Sequence, residues 1–322
     1  MPSGTAAPRG RYAPSPTGEI HLGNAATALF AWLSVRAAGG ALVLRVEDLD
    51  RPRVRPGATE RILADLAWLG LDWDEGPDRG GPRGPYEQSR RGAAYEAAFE
   101  RLRGAGRVYP CFCSRRDVAV SASAPQEPGD ELRYPGTCRD LAPEEAERRL
   151  EAGRPFAFRF RVGEDDDPAF DDRVLGRTRL GTPGDFVVRR ADGTPAYQLA
   201  VVVDDAAMGI TEVVRGGDLL ASTPRQILLY RTLGLAPPAF GHVPLVLGPD
   251  GARLSKRHAG SSIAEMRNAG LSPERVVGWI ARVTGIRGDD RPIAARDLVD
   301  GFSLGRLSAS SPAVRLAALR PR

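Results

Sequence analysis

The chain has 322 residues, of which 42% are hydrophobic and 27% charged, and its formal net charge is +4. This length allows one large α/β domain with insertions, or two domains, and no run of about 18 apolar residues could span a bilayer. The three cysteines are an odd number and lie close together, which argues against a disulfide-stapled secreted protein and favours a reducing cytosol.

The charge is unevenly distributed along the chain. From residue 251 to the C-terminus, 13 basic residues stand against 6 acidic ones, a net +7, while the remainder has 32 basic and 35 acidic residues, a net −3. Such a basic segment is typical of proteins that bind a phosphate backbone. It is equally typical of a solvated, arginine-rich surface.

The first predicted elements lie in residues 11–24, RYAPSPTGEIHLGN, which indicate the end of a strand, a loop and the start of a helix. Pro14 and Pro16 restrict the loop to an extended form, and two consecutive glycines end the helix that follows. A strand that leads through such a loop into a helix N-terminus forms an anion site, at which His21 and Asn24 would lie. The same tetrapeptide also occurs by chance at the start of ordinary amphipathic helices.

The next stretch, residues 41–50 (ALVLRVEDLD), is an apolar run that ends in carboxylates. This pattern predicts a buried parallel strand whose carboxyl end faces a crevice. Glu47, Asp48 and Asp50 are therefore candidate site residues, unless they only form the polar end of a strand. Helices are predicted at residues 57–70 and 86–103, so this segment has the pattern of a β-α-β-α half of a doubly wound sheet.

The pattern changes between residue 107 and about residue 184. This region holds the cysteines, a Ser/Ala/Pro-rich loop, an acidic run and one alternating strand, FAFRFRV. We interpret it as an insertion between two halves of the sheet. The parallel pattern is predicted to resume with FVVRR and AYQLAVVVDD, then TEVVRGGDL, before a helix that begins at Ser222-Thr223-Pro224.

Lys256 is the only lysine among the 45 basic residues, and it lies in the loop RLSKRHAG. A compact ammonium on a flexible stem suits a phosphate that gains charge during a reaction, and an arginine fork is not equivalent to it. A lone lysine in a loop is by itself a common chance feature. Its position after a second Rossmann-like half favours the phosphate role.

Together these motifs resemble the class I aminoacyl-tRNA synthetases, in which a HIGH tetrapeptide and a KMSKS loop bracket the nucleotide site. Here they are His21-Leu22-Gly23-Asn24 and Arg253-Leu254-Ser255-Lys256-Arg257. More narrowly, RYAPSPTG, LRVEDLD, YQLAVVVDD and VVRGGDL resemble the glutamyl-tRNA synthetase family. The resemblance implies an α/β fold with a Rossmann-like doubly wound parallel sheet, a zinc-containing insertion and a short C-terminal helical segment.

The resemblance also implies a function. A cytoplasmic and monomeric enzyme would activate L-glutamate with ATP and Mg²⁺ to glutamyl-adenylate without tRNA, and then transfer the glutamate to a tRNA. His21, Asn24 and Lys256 would be catalytic, and these three with Gly23 would bind ATP. Arg11 would pair with the side-chain carboxylate of glutamate and Glu47 with its ammonium, and the other glutamate contacts would be Ala13, Ser15, Tyr197 and Arg215.

At two points the sequence departs from the full-length glutamyl-tRNA synthetases, and these differences indicate a subgroup of the family. Full-length glutamyl enzymes carry Asn where this chain has Val201, and the 66 residues after Lys256 leave no room for a separate anticodon-binding domain. Both features resemble the glutamyl-Q tRNA(Asp) synthetases, a shortened group that attaches glutamate to the queuosine base of tRNA(Asp). The alternatives are a truncated conventional enzyme that charges a tRNA 3′ end and a non-catalytic tRNA- or amino-acid-binding protein.

The zinc pattern of that group also matches, and here its residues are Cys111, Cys113, Tyr134 and Cys138. Three thiolates and a phenolate would complete a tetrahedral shell around one zinc ion per chain. Metal retention stays open because a long loop separates the two ligand pairs. Without zinc, the cysteines would be buried small apolar residues.

We therefore divide the chain into five segments. These are a loose tail (1–10), the first half of the catalytic domain (11–106), the insertion with the zinc site (107–184), the second half (185–250), and the KMSKS-like loop with a basic helical segment (251–322).

Overall fold

The computed structural model describes residues 7–114, 116–118, 133–248 and 261–307, and the backbone of a short strand near the C-terminus. The strands are β1 (Arg9–Tyr12), β2 (Ala41–Leu44), β3 (Val108–Cys111), β4 (Ala157–Phe160), β5 (Phe170–Asp172), β6 (Gly176–Thr178), β7 (Phe186–Arg189), β8 (Glu212–Gly216), β9 (Ala239–Val243), β10 (Val246–Leu247) and β11 (Val314–Arg315). Helices of this part of the chain are α1 (Leu22–Ala37), α2 (Ala58–Trp68), α3 (Gly92–Gly104), α4 (Pro143–Glu151), α5 (Tyr197–Ala207), α6 (Thr223–Thr232), α7 (Ile263–Asn268) and α8 (Pro273–Val283).

A six-stranded sheet in the order β2-β1-β8-β9-β5-β6 forms the centre of the fold. All neighbours pair in parallel except β5 and β6, which form an antiparallel hairpin at one edge. This arrangement confirms the predicted Rossmann-like parallel sheet. The chain runs outward from β1 in both directions, to β2 on one side and β8 on the other. Ligands of open α/β sheets bind at such a switch point, outside the carboxyl ends of the strands.

Helices cover both faces of the sheet, and the alternation of β2 shows how. Leu42 and Leu44 pack into a hydrophobic cluster with α1, α2 and α8, whereas Val43 between them packs into a second cluster with α3, α5 and α6. Because successive side chains of a strand point to opposite faces, one short strand contributes to both clusters. The continuous apolar run that predicted a buried strand therefore has this double burial as its cause.

Two predictions about the region after residue 184 are wrong. FVVRR forms β7, but β7 pairs antiparallel with β4 in a separate three-stranded sheet, β3-β4-β7, and not in the parallel sheet. AYQLAVVVDD was predicted to continue the parallel pattern, and it forms helix α5 instead. Residues 198–205 of this helix are all buried, so its sequence shows no polar face, and a short apolar run of this kind does not distinguish a strand from a buried helix.

The predicted insertion contributes to both sheets. Its strands β3 and β4 belong to the small sheet, while β5 and β6 extend the large one through the parallel pairing of β5 with β9. The proposed division at residues 107 and 184 therefore describes the order of segments along the sequence and not the membership of the two sheets. In the part of the chain that the structure describes, no helix has the length and apolar character needed to cross a membrane.

The loop after β1 has the extended form that its prolines predict. The backbone N–H of Arg45 donates to Tyr12 O at 3.0 Å, and that of Glu47 donates to Pro14 O at 3.0 Å, so the parallel pairing of β1 with β2 continues beyond both strands. The two segments that follow β1 and β2 therefore run side by side past the carboxyl edge of the sheet. It places residues 45–47 against the loop that leads to α1.

Candidate active site

A buried arginine, Arg11, lies at the carboxyl end of β1, at the switch point of the sheet. Its Nη1 donates to the carbonyl oxygen of Val214 at 3.2 Å, and its Nε lies 3.6 Å from Asp205 Oδ1. Asp205 comes from the C-terminal part of α5, the segment whose secondary structure was mispredicted. The helix thus brings a carboxylate to the arginine from a direction that a strand could not supply.

Arg45 is the centre of an ion-pair network beneath Arg11. It is 0% exposed, and its guanidinium lies 2.5 Å from Asp205 Oδ1, 3.0 Å from Glu47 Oε1 and 3.7 Å from Asp204 Oδ2. Asp204 is also paired with Arg91 at 2.6 Å. Charges buried in this way are stable only when they are paired, and here three carboxylates face three arginines, counting Arg11. Through its contact with Arg45, the network holds Glu47, a predicted site residue, in place.

Sequence reasoning did not select Arg45 or Asp205. A signal for Arg45 was available, because it interrupts the apolar run LVLRV in the middle of a strand predicted to be buried. Burial raises the pKa of Glu47, although Arg45 and Arg11 both lower it. Of the other acidic candidates after β2, Asp48 accepts hydrogen bonds from the backbone and hydroxyl of Ser89, at 2.7 and 2.6 Å, and this contact orders the local loop.

Arg215, at the carboxyl end of β8, differs from Arg45 in its partners. It is 2% exposed, yet its three guanidinium nitrogens donate only to neutral acceptors, which are His242 Nε2 at 3.1 Å, Gln226 Oε1 at 2.9 Å and Thr223 Oγ1 at 2.7 Å. Among the described residues no carboxylate forms an ion pair with it. Burial lowers the pKa of Arg215. A buried guanidinium held by neutral groups retains its charge for an anion that arrives from outside.

Tyr197 begins α5 and is 36% exposed, so its ring is accessible at the carboxyl edge of the sheet. Its pKa is raised by desolvation and by the nearby charge of Glu47, while Arg215 and Arg11 lower it. These electrostatic effects require that all three side chains lie near the phenol. The structure therefore brings together four predicted residues, Arg11, Glu47, Tyr197 and Arg215, in one crevice.

Ala13 and Ser15 lie in the extended loop between this crevice and α1, with Ala13 half-buried and Ser15 exposed. Ser15 also closes a short turn, since its carbonyl oxygen accepts from the backbone N–H of Thr17 at 2.8 Å. Both residues are adjacent to the crevice in the chain. Their contact with a ligand stays a prediction.

The N-terminus of α1 lies next to the segments that flank residues 249–260. His21 is its N-cap residue, and His21 Nδ1 lies 3.3 Å from Ser261 Oγ. The backbone N–H of Leu22 donates to Ser261 O at 3.0 Å. On the other side, a Cβ atom at Gly23 would lie 3.5 Å from Val246 O of β10, an ordinary van der Waals contact, so β10 packs directly beside the helix start.

Asn24 is exposed in the first turn of α1. The KMSKS-like residues 253–257, and with them Lys256, lie outside the described residues. Both flanks of the segment that holds them meet the helix N-terminus at which His21, Gly23 and Asn24 were predicted to bind phosphate.

The three cysteines form a cluster in the small sheet, and their sulfur atoms lie within 4.8 Å of one another. Cys113 Sγ is 3.6 Å from Cys138 Sγ, and the hydroxyl oxygen of Tyr134 is 3.4 Å from Cys111 Sγ and 3.8 Å from Cys113 Sγ. A tetrahedral zinc site with Zn–S bonds of about 2.3 Å has sulfur–sulfur edges of about 3.8 Å and sulfur–oxygen edges of about 3.5 Å. The four predicted ligands therefore fit such a site.

Two neighbouring groups affect the protonation of this cluster. Burial raises the pKa of the Cys113 thiol to about 11, so metal binding has to displace its proton. The backbone N–H of Cys138 donates to the Tyr134 oxygen at 2.7 Å, and the Arg159 guanidinium lies 3.8 Å from the centre of the Tyr134 ring. Burial and the hydrogen bond with Cys111 nevertheless raise the pKa of Tyr134 well above its usual value, and the Cys138 N–H only opposes this shift, so metal binding has to displace the phenolic proton as well. The cluster can hold a metal ion.

Comparisons with known proteins show the family of the chain. The family model described as tRNA synthetases class I (E and Q), catalytic domain, matches residues 8–320. The glutamyl-Q tRNA(Asp) synthetase of Symbiobacterium thermophilum is 55% identical over 316 residues, which are 96% of this chain and 98% of that protein. The protein of the same name from Nitratidesulfovibrio vulgaris is 52% identical and is covered to 93%.

A second group of relatives is longer. Glutamate–tRNA ligase 1 of Halorhodospira halophila is 47% identical over 93% of this chain, and the match covers 63% of that protein. Among solved structures, a glutamate–tRNA synthetase from Elizabethkingia anophelis is similar over 97% of this chain and 68% of its own, with a TM-score of 0.82 and 30% identity.

The two buried arginines give a prediction about stability. Arg45→Met leaves Asp205, Asp204 and Glu47 buried without their shared cation, so we expect the free energy of unfolding to fall by about 3–5 kcal/mol. Arg215→Met removes a buried cation for which the described part of the chain shows no carboxylate partner, and it leaves only neutral acceptors there, so its cost should be at most about 2 kcal/mol. Urea denaturation followed by circular dichroism measures both. Equal losses would contradict the distinction between a neutralised and an uncompensated arginine.

Proposed function

Because the chain belongs to the class I tRNA synthetases of the glutamate and glutamine type and is a ligase of that kind, we propose that it transfers glutamate to the queuosine base in the anticodon of tRNA(Asp). In the first step L-glutamate is activated with ATP. In the second step a hydroxyl oxygen of the cyclopentene diol of queuosine forms an ester bond with the glutamyl carbonyl carbon, the bond to AMP breaks, and AMP and the hydroxyl proton leave. The enzyme acts in the cytoplasm as a monomer.

The observation that carries the proposal is the charge pattern of the crevice. Arg215 is buried and has no carboxylate partner among the residues that the structure describes, and Arg11 lies near it, with its Nε 3.6 Å from Asp205. Glu47 supplies one carboxylate near Tyr197. Two cations and one anion complement the side-chain carboxylate and the ammonium of glutamate, and they leave its α-carboxylate to react.

Activation needs alignment and charge stabilisation more than a covalent enzyme intermediate. An α-carboxylate oxygen of glutamate attacks the α-phosphorus of ATP, a new C–O–P bond forms, and the bond to the leaving pyrophosphate breaks. His21, Gly23 and Asn24 at the start of α1 would hold the phosphates together with Lys256, and Mg²⁺ bound with ATP would neutralise part of their charge. Ser261 and Val246, which lie on either side of the segment that holds Lys256, both contact this helix start.

A conservative substitution tests the role of the only lysine. Lys256→Arg keeps the charge but replaces a compact ammonium by a larger planar fork, so we expect glutamate-dependent pyrophosphate exchange to fall by about 10²-fold or more. Glutamate affinity, measured by calorimetry, should barely change. Arg257→Lys, the exchange in the opposite direction at the neighbouring position, is the matched control and should retain activity. An unchanged exchange rate in Lys256→Arg would remove this loop from phosphate chemistry.

We propose zinc as the metal of the cysteine cluster, since three sulfur ligands and one oxygen at tetrahedral edge lengths suit Zn²⁺. Its role is structural, because the cluster joins β3 to the turn around Cys138 and lies in the small sheet, not in the crevice at the carboxyl ends of β1 and β8.

Elemental analysis tests the metal. Protein purified without chelator should contain about one zinc per chain, and Cys138→Ser should lose it. Tyr134→Phe keeps the packed ring and the three sulfurs but removes the oxygen, so it should bind zinc more weakly in a competition with a chromogenic chelator. In Cys138→Ser, limited proteolysis should cleave the small sheet while glutamate activation is still unimpaired. Wild-type protein without zinc would leave the cysteines as buried apolar residues.

Three observations support queuosine as the acceptor. The full-length relatives with 52–55% identity carry the name of that activity. Val201 is buried in α5 where longer glutamyl enzymes carry Asn. A cavity of about 500 Å³ is lined by Leu49 and Leu199, two residues beyond Glu47 and Tyr197. Its charged lining residues are Arg51, Arg189, Glu96 and Asp192, and Arg189 is paired with Glu96. An extruded base of an anticodon loop needs such a partly apolar cavity with polar groups for its edges.

Labelled glutamate and defined RNAs test the acceptor. We expect transfer to tRNA(Asp) that contains queuosine even after enzymatic removal of its 3′-terminal adenosine, since the acceptor is in the anticodon. The same tRNA with guanosine at the modified position is the matched control and should stay unlabelled. Strong labelling of unmodified tRNA(Glu) that depends on its 3′ end would support a conventional glutamyl-tRNA synthetase instead. Absence of glutamate-dependent pyrophosphate exchange would support a binding protein.

A further inference from the structure

The neutral partners of Arg215 form a chain of contacts that ends in a carboxylate. We propose that Asp172 and His242 are positioning residues, which hold the Arg215 guanidinium toward the ligand's carboxylate by fixing a single tautomer of the His242 ring. This inference rests on the proposed function only in naming glutamate as the ligand.

The geometry around His242 is closely defined on both sides of the ring. His242 belongs to β9 and is 2% exposed. Its Nδ1 lies 2.6 Å from Asp172 Oδ2, and its Nε2 lies 3.1 Å from Arg215 Nε and 3.0 Å from Thr223 Oγ1. Both ring nitrogens are thus engaged by groups on other elements, and the ring bridges β5 to β8.

Asp172 is itself held in place. Its Oδ1 accepts hydrogen bonds from the backbone N–H groups of Val174 and Leu175, each at 2.9 Å, so the second oxygen is directed at the His242 ring. Burial alone would raise the pKa of Asp172, but the hydrogen bonds from His242 and from these backbone groups lower it below its usual value. The ionised carboxylate can only accept, so the proton of the imidazole lies on Nδ1.

The same tautomer is required from the other side of the ring. Arg215 Nε always carries a hydrogen, so the Nε2 atom of His242 must present its lone pair to it. Burial lowers the pKa of His242, although Asp172 raises it. The charged groups that face this ring are Asp172 on β5, Arg215 on β8 and Arg11 on β1. A protonated imidazole would place a second N–H and a positive charge against the guanidinium.

This arrangement leaves two N–H groups of the Arg215 guanidinium available for a ligand. Of its five N–H groups, three donate to His242, Gln226 and Thr223, and one on each terminal nitrogen remains for a ligand. A carboxylate placed directly at Nε would also orient the fork, but it would neutralise the charge that the ligand needs. With a neutral ring between Asp172 and Arg215, the fork is oriented and its charge is retained.

Nuclear magnetic resonance tests the tautomer in the wild-type full chain, which has only three histidines. In ¹⁵N-histidine-labelled protein we expect one neutral ring protonated at Nδ1, with shifts that do not titrate between about pH 6 and 8, and this signal should be missing from His242→Gln. In Asp172→Asn the amide would donate to Nδ1 and move the proton to Nε2. A wild-type His242 protonated at Nε2, or titrating in this range, would overturn the proposal, and this measurement does not depend on enzymatic activity.

Kinetics separate positioning from packing. His242→Gln can place an amide oxygen near Arg215 Nε, whereas His242→Asn keeps only the contact with Asp172. Loss of one hydrogen bond to a charged group predicts that His242→Asn and Asp172→Asn raise the glutamate KM about tenfold, with the KM for ATP unchanged and discrimination against glutamine reduced. His242→Gln should stay within about threefold of wild type. Equal losses in His242→Gln and His242→Asn, or a parallel rise of the KM for ATP, would show a merely structural role. A wild-type protein without glutamate-dependent exchange would refute the proposed function and not the tautomer.

Discussion

The burial of positive charge at the carboxyl edge of the sheet is the constraint on which the other features of the crevice depend. Removing a guanidinium from water is costly unless it is paired and hydrogen-bonded. Arg45 meets this condition with Asp205, Asp204 and Glu47 around it. Arg215 is hydrogen-bonded but not ion-paired among the described residues, since its hydrogen-bond acceptors are neutral groups. The fold therefore surrounds one arginine with three carboxylates and leaves the other without a carboxylate among the described residues.

The ion-pair network around Arg45 provides the rigid surroundings in which Arg215 can stay buried with its charge. The network around Arg45 joins β2, α3 and α5, because Asp204 reaches Arg91 at the start of α3 as well as Arg45. These contacts form only when the three elements are packed, so they contribute rigidity at the base of the crevice. Tyr197 at one end of α5 and Asp205 near the other are fixed by the same helix. A rigid base of this kind is what a site needs if an incompletely paired charge is to stay in place.

The sequence predicted the parts of this site that depend on local patterns. The prolines and the polar tetrapeptide located the loop before α1, and the carboxylates after an apolar run located Glu47. The cysteine spacing and the resemblance located the metal cluster. What could not be predicted depends on burial from several sides. Helix α5 has no polar face, so its Val-rich run resembled a strand. Because the segment was predicted as a strand, the pairing of Asp204 and Asp205 with Arg45 could not be foreseen. Asp172 and His242 meet only because β5 joins the large sheet beside β9, a pairing between segments about 70 residues apart that no local periodicity encodes.

In the proposed function, the neutral partners around Arg215 would also determine how the crevice distinguishes an acid from its amide. A carboxylate presents only acceptors to the free N–H groups of Arg215 and Arg11, and it brings the negative charge that the partners of Arg215 do not supply. An amide of the same shape turns two donors toward one of the two forks, where no acceptor is available, and leaves the buried charge uncompensated. Rejection of a ligand that leaves buried polar groups unpaired is stronger than rejection by shape alone. It requires that Arg215 have no carboxylate of its own, because an internal ion pair would make acid and amide nearly equivalent. The separation of Asp172 from Arg215 by one neutral imidazole satisfies that requirement and still provides a fixed orientation.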